Sequence, residues 1–225
     1  METNIVKMVG VADFASLLNA TSGMLAIIMA FYQNSLLAAL FLILAVVFDA
    51  IDGPLARRFP SPTKDVFGET MDSLADAISF GLAPAIICYE LFNTPLMIIA
   101  SILLLCCGIL RLSRYNTIIT EQDGPTKTFI GLPIPVSSFM LSLLLLSQIN
   151  QPSLILIIMA VIAILMISSL KYPKIKNIKI FGVCGLLLIM TLILPLNQML
   201  MHIPSIILIV FVIGYMILPF TNIEI

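Results

Sequence analysis

Charge is what this chain has least of. Of its 225 residues only 10% are Asp, Glu, Lys or Arg, whereas 60% are hydrophobic, and the mean hydropathy is +1.15. A soluble globular surface needs far more charge than this, so the composition indicates an integral membrane protein. Classical metal ligands are scarce too: there is one histidine, His202, and the four cysteines, Cys88, Cys106, Cys107 and Cys184, have no ligand spacing such as CxxC. The cysteines read as small buried hydrophobes and His202 as a solvated loop residue on the outer side. The N-terminal region lacks a signal-peptide cleavage pattern and carries a charge at Asp13, so the first apolar helix is expected to be retained. The net charge of -1 gives no reason to expect a nucleic-acid partner. In a membrane protein the placement of charge says more than its sum.

What is present in abundance is long apolar runs. Eight are of spanning length, at about 14–32, 35–57, 68–92, 95–114, 130–148, 152–170, 179–196 and 203–220. Turn-forming residues separate them, among them Gln33-Asn34, Pro60-Ser-Pro62, Asn93-Thr-Pro95, Gln122-Asp-Gly-Pro125, Asn150-Gln-Pro152 and Tyr172-Pro173. The expected fold is an all-α polytopic bundle of about eight transmembrane helices.

The basic residues set the topology. Lys7 precedes the first span, and Arg57, Arg58, Lys64, Arg111, Arg114, Lys127, Lys171, Lys174, Lys176 and Lys179 all fall at the connections after spans two, four and six. The other connections have none, so the positive-inside rule puts both termini on the cytoplasmic side of the cell membrane. The last two spans carry no internal charge. The chain therefore reads as one membrane domain with a six-helix catalytic core, about 1–176, and a two-helix addition, about 177–225, that is structural or forms a homodimer.

Against this apolar background four carboxylates stand out: Asp49 and Asp52 at the end of the second span, Asp72 and Asp76 in the third. A charged side chain near the bilayer centre costs roughly 2.5–3.5 kcal/mol on insertion scales, so four acids at helical spacing call for a compensating charge. Residues three or four apart share a helix face, so two facing helices would offer an all-oxygen cage. Such a cage suits Mg2+, Mn2+ or Ca2+ better than zinc, and four carboxylates balance two divalent ions. Two-metal sites recur in displacement at phosphorus. Gly53 and Ala56, between the acids and Arg57, are small enough to let a ligand approach closely. Polar helix ends paired with Arg57, Arg58 and Lys64 would be the bland alternative, and the full pattern disfavours it.

The pattern Asp49-x-x-Asp52-Gly53-x-x-Ala56-Arg57, then Gly68-x-x-x-Asp72-x-x-x-Asp76, resembles the signature of the CDP-alcohol phosphotransferases, with a slightly long spacer of ten residues between Arg57 and Gly68. Further stretches resemble the phosphatidylserine (or archaetidylserine) synthase branch: Asn19-Ala-Thr-Ser-Gly23, Asp72 to Pro84, Leu110 to Asn116, Phe129 to Pro135, and Lys171 to Lys174. The likeness runs from about residue 13 to about 176.

The resemblance implies an enzyme that joins L-serine to the lipid phosphate of CDP-diacylglycerol or CDP-archaeol and releases CMP. Its acids, Asp49, Asp52, Asp72 and Asp76, would hold two divalent cations that grip the diphosphate, and Asp76 would also take the proton of the attacking hydroxyl. Gly53, Ala56 and Gly68 would line the nucleotide pocket, with Arg57 at the phosphates or bracing the two helices. Asn19 and Asn116 are polar contacts to CDP or hydrogen bonds between helices. A serine carboxylate calls for a guanidinium fork, for which Arg111 and Arg114 are suited, and Glu69 could take the ammonium. Their alternative is to anchor the helix at the headgroups. Lys64 with Asp65 reads as an exposed loop pair, and Glu121 with Asp123 as a mobile loop at the cavity mouth. Another acceptor, inositol phosphate or glycerol phosphate, remains open, and membrane lipids surround the whole. A cation carrier is disfavoured, because the acids sit at one membrane face and Glu90 stands alone on the other.

Overall fold

The computed structural model describes residues 4–59, 66–121, 128–174 and 178–221. A single turn, α1 (Ile5–Met8), leads into α2 (Val11–Phe31), and α3 (Ser35–Arg58) packs back along it. The reversal is made by Gln33, at φ 56°, and by Asn34, whose side chain accepts from Leu37 N at 3.0 Å and caps α3. Ala26, Ala30, Ala38 and Ala39 have no exposed surface, and such small side chains let membrane helices approach closely.

The third rod is interrupted. α4 (Val66–Asp76) passes through a π-helical stretch, Ala77–Leu82, before continuing as α5 (Ala83–Phe92). A π turn loosens the regular ladder and leaves carbonyls open to outside donors. Ser137 Oγ donates to the Phe80 carbonyl at 2.5 Å and Ser138 Oγ to the Ser79 carbonyl at 2.6 Å. From the same stretch Ser79 Oγ donates to the Asn19 carbonyl at 2.8 Å. Gly23 makes this crossing possible, since a Cβ there would lie 2.8 Å from Ser79 Cα.

The chain continues through α6 (Pro95–Glu121), β1 (Thr128–Ile130), α7 (Pro135–Leu146), α8 (Pro152–Ile167), β2 (Lys171–Pro173), α9 (Ile178–Leu192), a short α10 (Leu194–Met199) and α11 (Ile203–Ile217), closing with a 3-10 turn at Leu218–Phe220. Pro95, Pro135 and Pro152 open their helices, where a missing N–H leaves no bond unmade. α7 packs on α3 and α11, α8 on α6, and α9 on α11.

All eight apolar stretches become helical. Among the described residues Val11–Phe31, Ser35–Arg58, Val66–Phe92, Pro95–Ile118 and Ile203–Phe220 are long and apolar enough to cross a membrane, while Pro135–Leu146, Pro152–Ile167 and Gly182–Leu192 are apolar but shorter. The architecture is an all-α polytopic membrane bundle.

Several local expectations are corrected. The fifth apolar stretch does not start as a helix at 130: Thr128–Ile130 is a strand, antiparallel to Lys171–Pro173, with Phe129 opposite Tyr172. Gly131, at φ 77°, turns the chain out of that strand, and a side chain there would collide with Arg114 Nη2 and the Met166 carbonyl. Of the cysteines Cys88 and Cys107 are buried, but Cys106 is exposed and Cys184 half-buried. His202 is more than a solvated loop residue, since its Nδ1 lies 3.2 Å from Asn197 Nδ2, in a polar knot that includes Ser147 and Ser205. Glu90 does not stand alone, being met by the Gln33 amide at 3.4 Å. Lys64, Asp65, Asp123 and the turns 60–62 and 122–125 lie outside the described residues, as does the side chain of Glu121.

Candidate active site

Asp49 and Asp52 are one turn apart on α3, and Asp72 and Asp76 one turn apart on α4. α2 packs against both helices and draws these faces together. One carboxylate oxygen from each of Asp49, Asp52 and Asp72 lies within 4.8 Å of the other two. Asp76, 7% exposed, stands outside this trio but in side-chain contact with Asp49, and Asp52 is in similar contact with Asp72. Asn19 of α2 donates from Nδ2 to Asp76 Oδ1 at 3.2 Å.

Two oxygens of the cluster, Asp52 Oδ2 and Asp72 Oδ1, are buried without a hydrogen-bond partner. Buried polar atoms are seldom left so, because their lost hydration is not replaced. Oxygen-only donors, unpaired oxygens and a shared centre fit a hard divalent cation.

The two arginines part company. Arg111 is 6% exposed, acts electrostatically on Asp49, Asp72 and Asp76, and lays its guanidinium over Tyr115 and Phe129, 5.2 and 5.9 Å from the ring centroids. Its Nε is buried and unpartnered. Arg114 is committed to the backbone: Nη1 donates to the carbonyls of Ile167 and Ser168 at 3.1 and 2.9 Å, Nη2 to those of Ile130 and Met166, both at 2.8 Å. Its fork thus closes the C-terminal end of α8 against β1, satisfying carbonyls that a helix end leaves open. As a carboxylate receptor it is taken; as a structural brace it is complete.

A cavity of about 270 Å3 opens beside the acids. Gly53, Ala56 and Gly68 line it with Asp52 and Asp72, and Glu69 stands on its wall. Arg57 is exposed and does not line it, its Nη1 lying 3.7 Å from where a Gly53 side chain would begin. Asn116 is hydrogen-bonded to Ser73 at 2.9 Å, as a link between α6 and α4. Two further lining residues, Asp13 and Ser16, escaped the sequence reading. Each is 3% exposed, and the Asp13 carboxylate accepts from Gly10 N at 2.7 Å. Their signal was in the sequence: Asp13, Ser16, Asn19 and Ser22 recur every third residue and give a largely apolar helix a polar stripe.

Residues 9–167 match the model of the CDP-alcohol phosphatidyltransferase family. The chain is similar to the archaetidylserine synthase of Methanothermobacter thermautotrophicus, 36% identical over 176 residues, which cover 77% of this chain and 74% of that protein. It is also similar to the CDP-diacylglycerol--serine O-phosphatidyltransferases of Methanocaldococcus jannaschii and Bacillus subtilis. The first is 34% identical over 79% of this chain and 80% of that protein, the second 34% over 71% and 87%.

Proposed function

The chain belongs to the CDP-alcohol phosphatidyltransferase family, and we propose that it is the member that transfers the phosphatidyl or archaetidyl group of a CDP-linked lipid to L-serine, with release of CMP. The observation that carries this reading is the buried acid cluster with its two unpartnered oxygens beside a cavity walled by Gly53, Ala56 and Gly68. The names of the similar proteins favour serine as the acceptor.

Asp49, Asp52, Asp72 and Asp76 would hold two divalent cations, Mg2+ or Mn2+ ahead of Ca2+, whose charge offsets that of the diphosphate. The side chains do the rest. Asp76, held by Asn19 through Oδ1 and in side-chain contact with Asp49, takes the serine hydroxyl proton as the serine oxygen attacks the lipid-bearing phosphorus. The bond from that phosphorus to the CMP oxygen breaks, and CMP leaves. Gly53, Ala56 and Gly68 give the nucleotide its close approach, and Arg57 braces α3. Arg111 receives the serine carboxylate, a role that the backbone bonds of Arg114 leave to it alone of the pair. Glu69 is the candidate for the ammonium.

An apolar groove of about 340 Å3 supports a lipid substrate, because Val46, Val47 and Ala50 bring it within a turn of Asp49. The basic connections favour a cytoplasmic face for the site and both termini. On this reading 1–176 is the catalytic core and 177–225 an addition, and the enzyme works as a homodimer.

The test is CMP release by purified protein in liposomes, with CDP-diacylglycerol or CDP-archaeol, Mn2+ or Mg2+, and a panel of serine, inositol phosphate and glycerol phosphate. Serine alone should support release. Release with a phosphorylated acceptor and none with serine would overturn the choice of acceptor.

A further inference from the structure

α11 lies beyond residue 167, where the family match ends, yet it is tied to the ribbon that borders Arg111. Tyr215 of α11 donates from its hydroxyl to the Pro173 carbonyl at 3.2 Å, and Tyr172 of β2 donates to the Met216 carbonyl, also at 3.2 Å. The two rings lie 5.4 Å apart, tilted by 43°. Donor and acceptor are exchanged between the same two segments, so neither can slide along the other without losing both bonds. Met216 is in the last turn of α11, where carbonyls lack helical partners. Burial pushes the Tyr172 hydroxyl up to about 12, so it remains a protonated donor at neutral pH.

β2 passes this restraint to the pocket. Phe129 is the ladder partner of Tyr172, so the place of β2 sets that of β1. The Lys174 ammonium lies 4.7 Å from the Phe129 ring centroid, the Arg111 guanidinium 5.9 Å, and the Tyr115 ring 6.4 Å. With its Nε unpartnered, Arg111 owes its direction largely to these aromatic faces and to the acids.

We infer that Tyr215 is a positioning residue for the acceptor alcohol: through Pro173 and the β1–β2 ladder it holds Phe129 against Arg111 and so aims the guanidinium at the acceptor's anionic group. This rests on the assignment of Arg111 to the acceptor. It gives α11, beyond the family match, a part in acceptor binding, where a purely structural role would affect both substrates alike.

Tyr215→Phe removes the hydroxyl and keeps the ring. In full-length protein in liposomes, the KM for the acceptor should rise roughly threefold to tenfold, the loss of one neutral hydrogen bond. The KM for CDP-diacylglycerol and kcat at saturating acceptor should stay within twofold. Phe129→Leu, which removes the platform, should show the same split, and the two changes combined should add less than their separate effects. An unchanged acceptor KM in Tyr215→Phe, a parallel rise in both constants, or strict additivity would overturn the inference. If the parent enzyme uses an alcohol other than serine, the choice of acceptor fails separately, and the positioning role is judged by the KM for the alcohol used.

Discussion

Asn19 and Asp76 are 57 positions apart in the chain and 3.2 Å apart in the fold, joined by an amide that donates to a buried carboxylate. A donor fixed on Oδ1 holds the carboxylate in one orientation. Asn19→Ala should therefore lower kcat by about tenfold or more, through a misaligned base, with CDP-lipid binding largely kept. Asn19→Asp, which sets a second negative charge against Asp76, should be worse. Turnover and equilibrium CDP-lipid binding, measured side by side, check both, and equal losses in the two quantities would count against a role in alignment.

The acid trio depends on charge rather than shape. Asp52→Asn and Asp72→Asn should each abolish CMP release while the protein still inserts and folds, and should weaken Mn2+ binding read by electron paramagnetic resonance. Chelation should silence the parent enzyme, and added Mn2+ or Mg2+ should restore it. Near-parental Mn2+ binding in either variant would remove that acid from the site.

Asp76 is assigned both a ligand role and the base. Asp76→Asn should retain more CDP-lipid binding than Asp52→Asn does, with turnover lost. Should Asp76→Asn still turn over at a parental rate, Glu69, on the cavity wall, is the next candidate for the base.

The two arginines should separate in kinetics as they do in space. Lys cannot reproduce a guanidinium fork, so Arg111→Lys should raise the KM for serine roughly tenfold to a hundredfold, the scale of a charge-assisted bond, with a smaller effect on kcat. Arg114→Lys should instead lower thermal stability, because a single ammonium cannot serve the four backbone carbonyls that the guanidinium fork holds, and should show no preference between substrates. A serine-selective defect in Arg114→Lys would move the pocket towards α8.

Gly131→Ala should also destabilise. Its left-handed backbone alone costs roughly 1 kcal/mol for an L-residue, and the added methyl meets Arg114 Nη2 and the Met166 carbonyl. A fall in unfolding temperature in detergent, with weaker activity at elevated temperature, is expected; an unshifted unfolding temperature would mean that the Arg114 brace contributes little to stability.

Much of the site was legible because membrane burial makes polar residues conspicuous. Asp49, Asp52, Asp72 and Asp76 stood out among apolar neighbours, the full pattern disfavoured polar helix ends as their explanation, and helical spacing was enough to group them. Asp13 and Ser16 carried the same signal more faintly, as one stripe on a helix whose charge was read only as a feature of the N-terminus. The strand at Thr128–Ile130 was hidden because three residues have no period, and its Phe-Ile-Gly-Leu composition reads as the start of a span. The division of labour between Arg111 and Arg114 was likewise out of reach. Both occupy one helix face, and only the path of β1 and the end of α8 decides which guanidinium is consumed by carbonyls.

The π-helical stretch after Asp76 has a consequence for what insertions and deletions the third rod can absorb. A π turn contains one residue more than the α turn it replaces, so deleting a single residue from Ala77–Leu82 would leave a regular rod with its two ends still in register, whereas winding the stretch as α-helix at its present length would turn those ends against each other by about 100°. Ser79 and Phe80 could then keep their bonds to Asn19, Ser137 and Ser138 only if Asp72 and Asp76 swung away from α3. The surplus residue acts as a phase shift in the helix. It allows the half that meets the substrate and the half that packs in the bundle each to face its own partners.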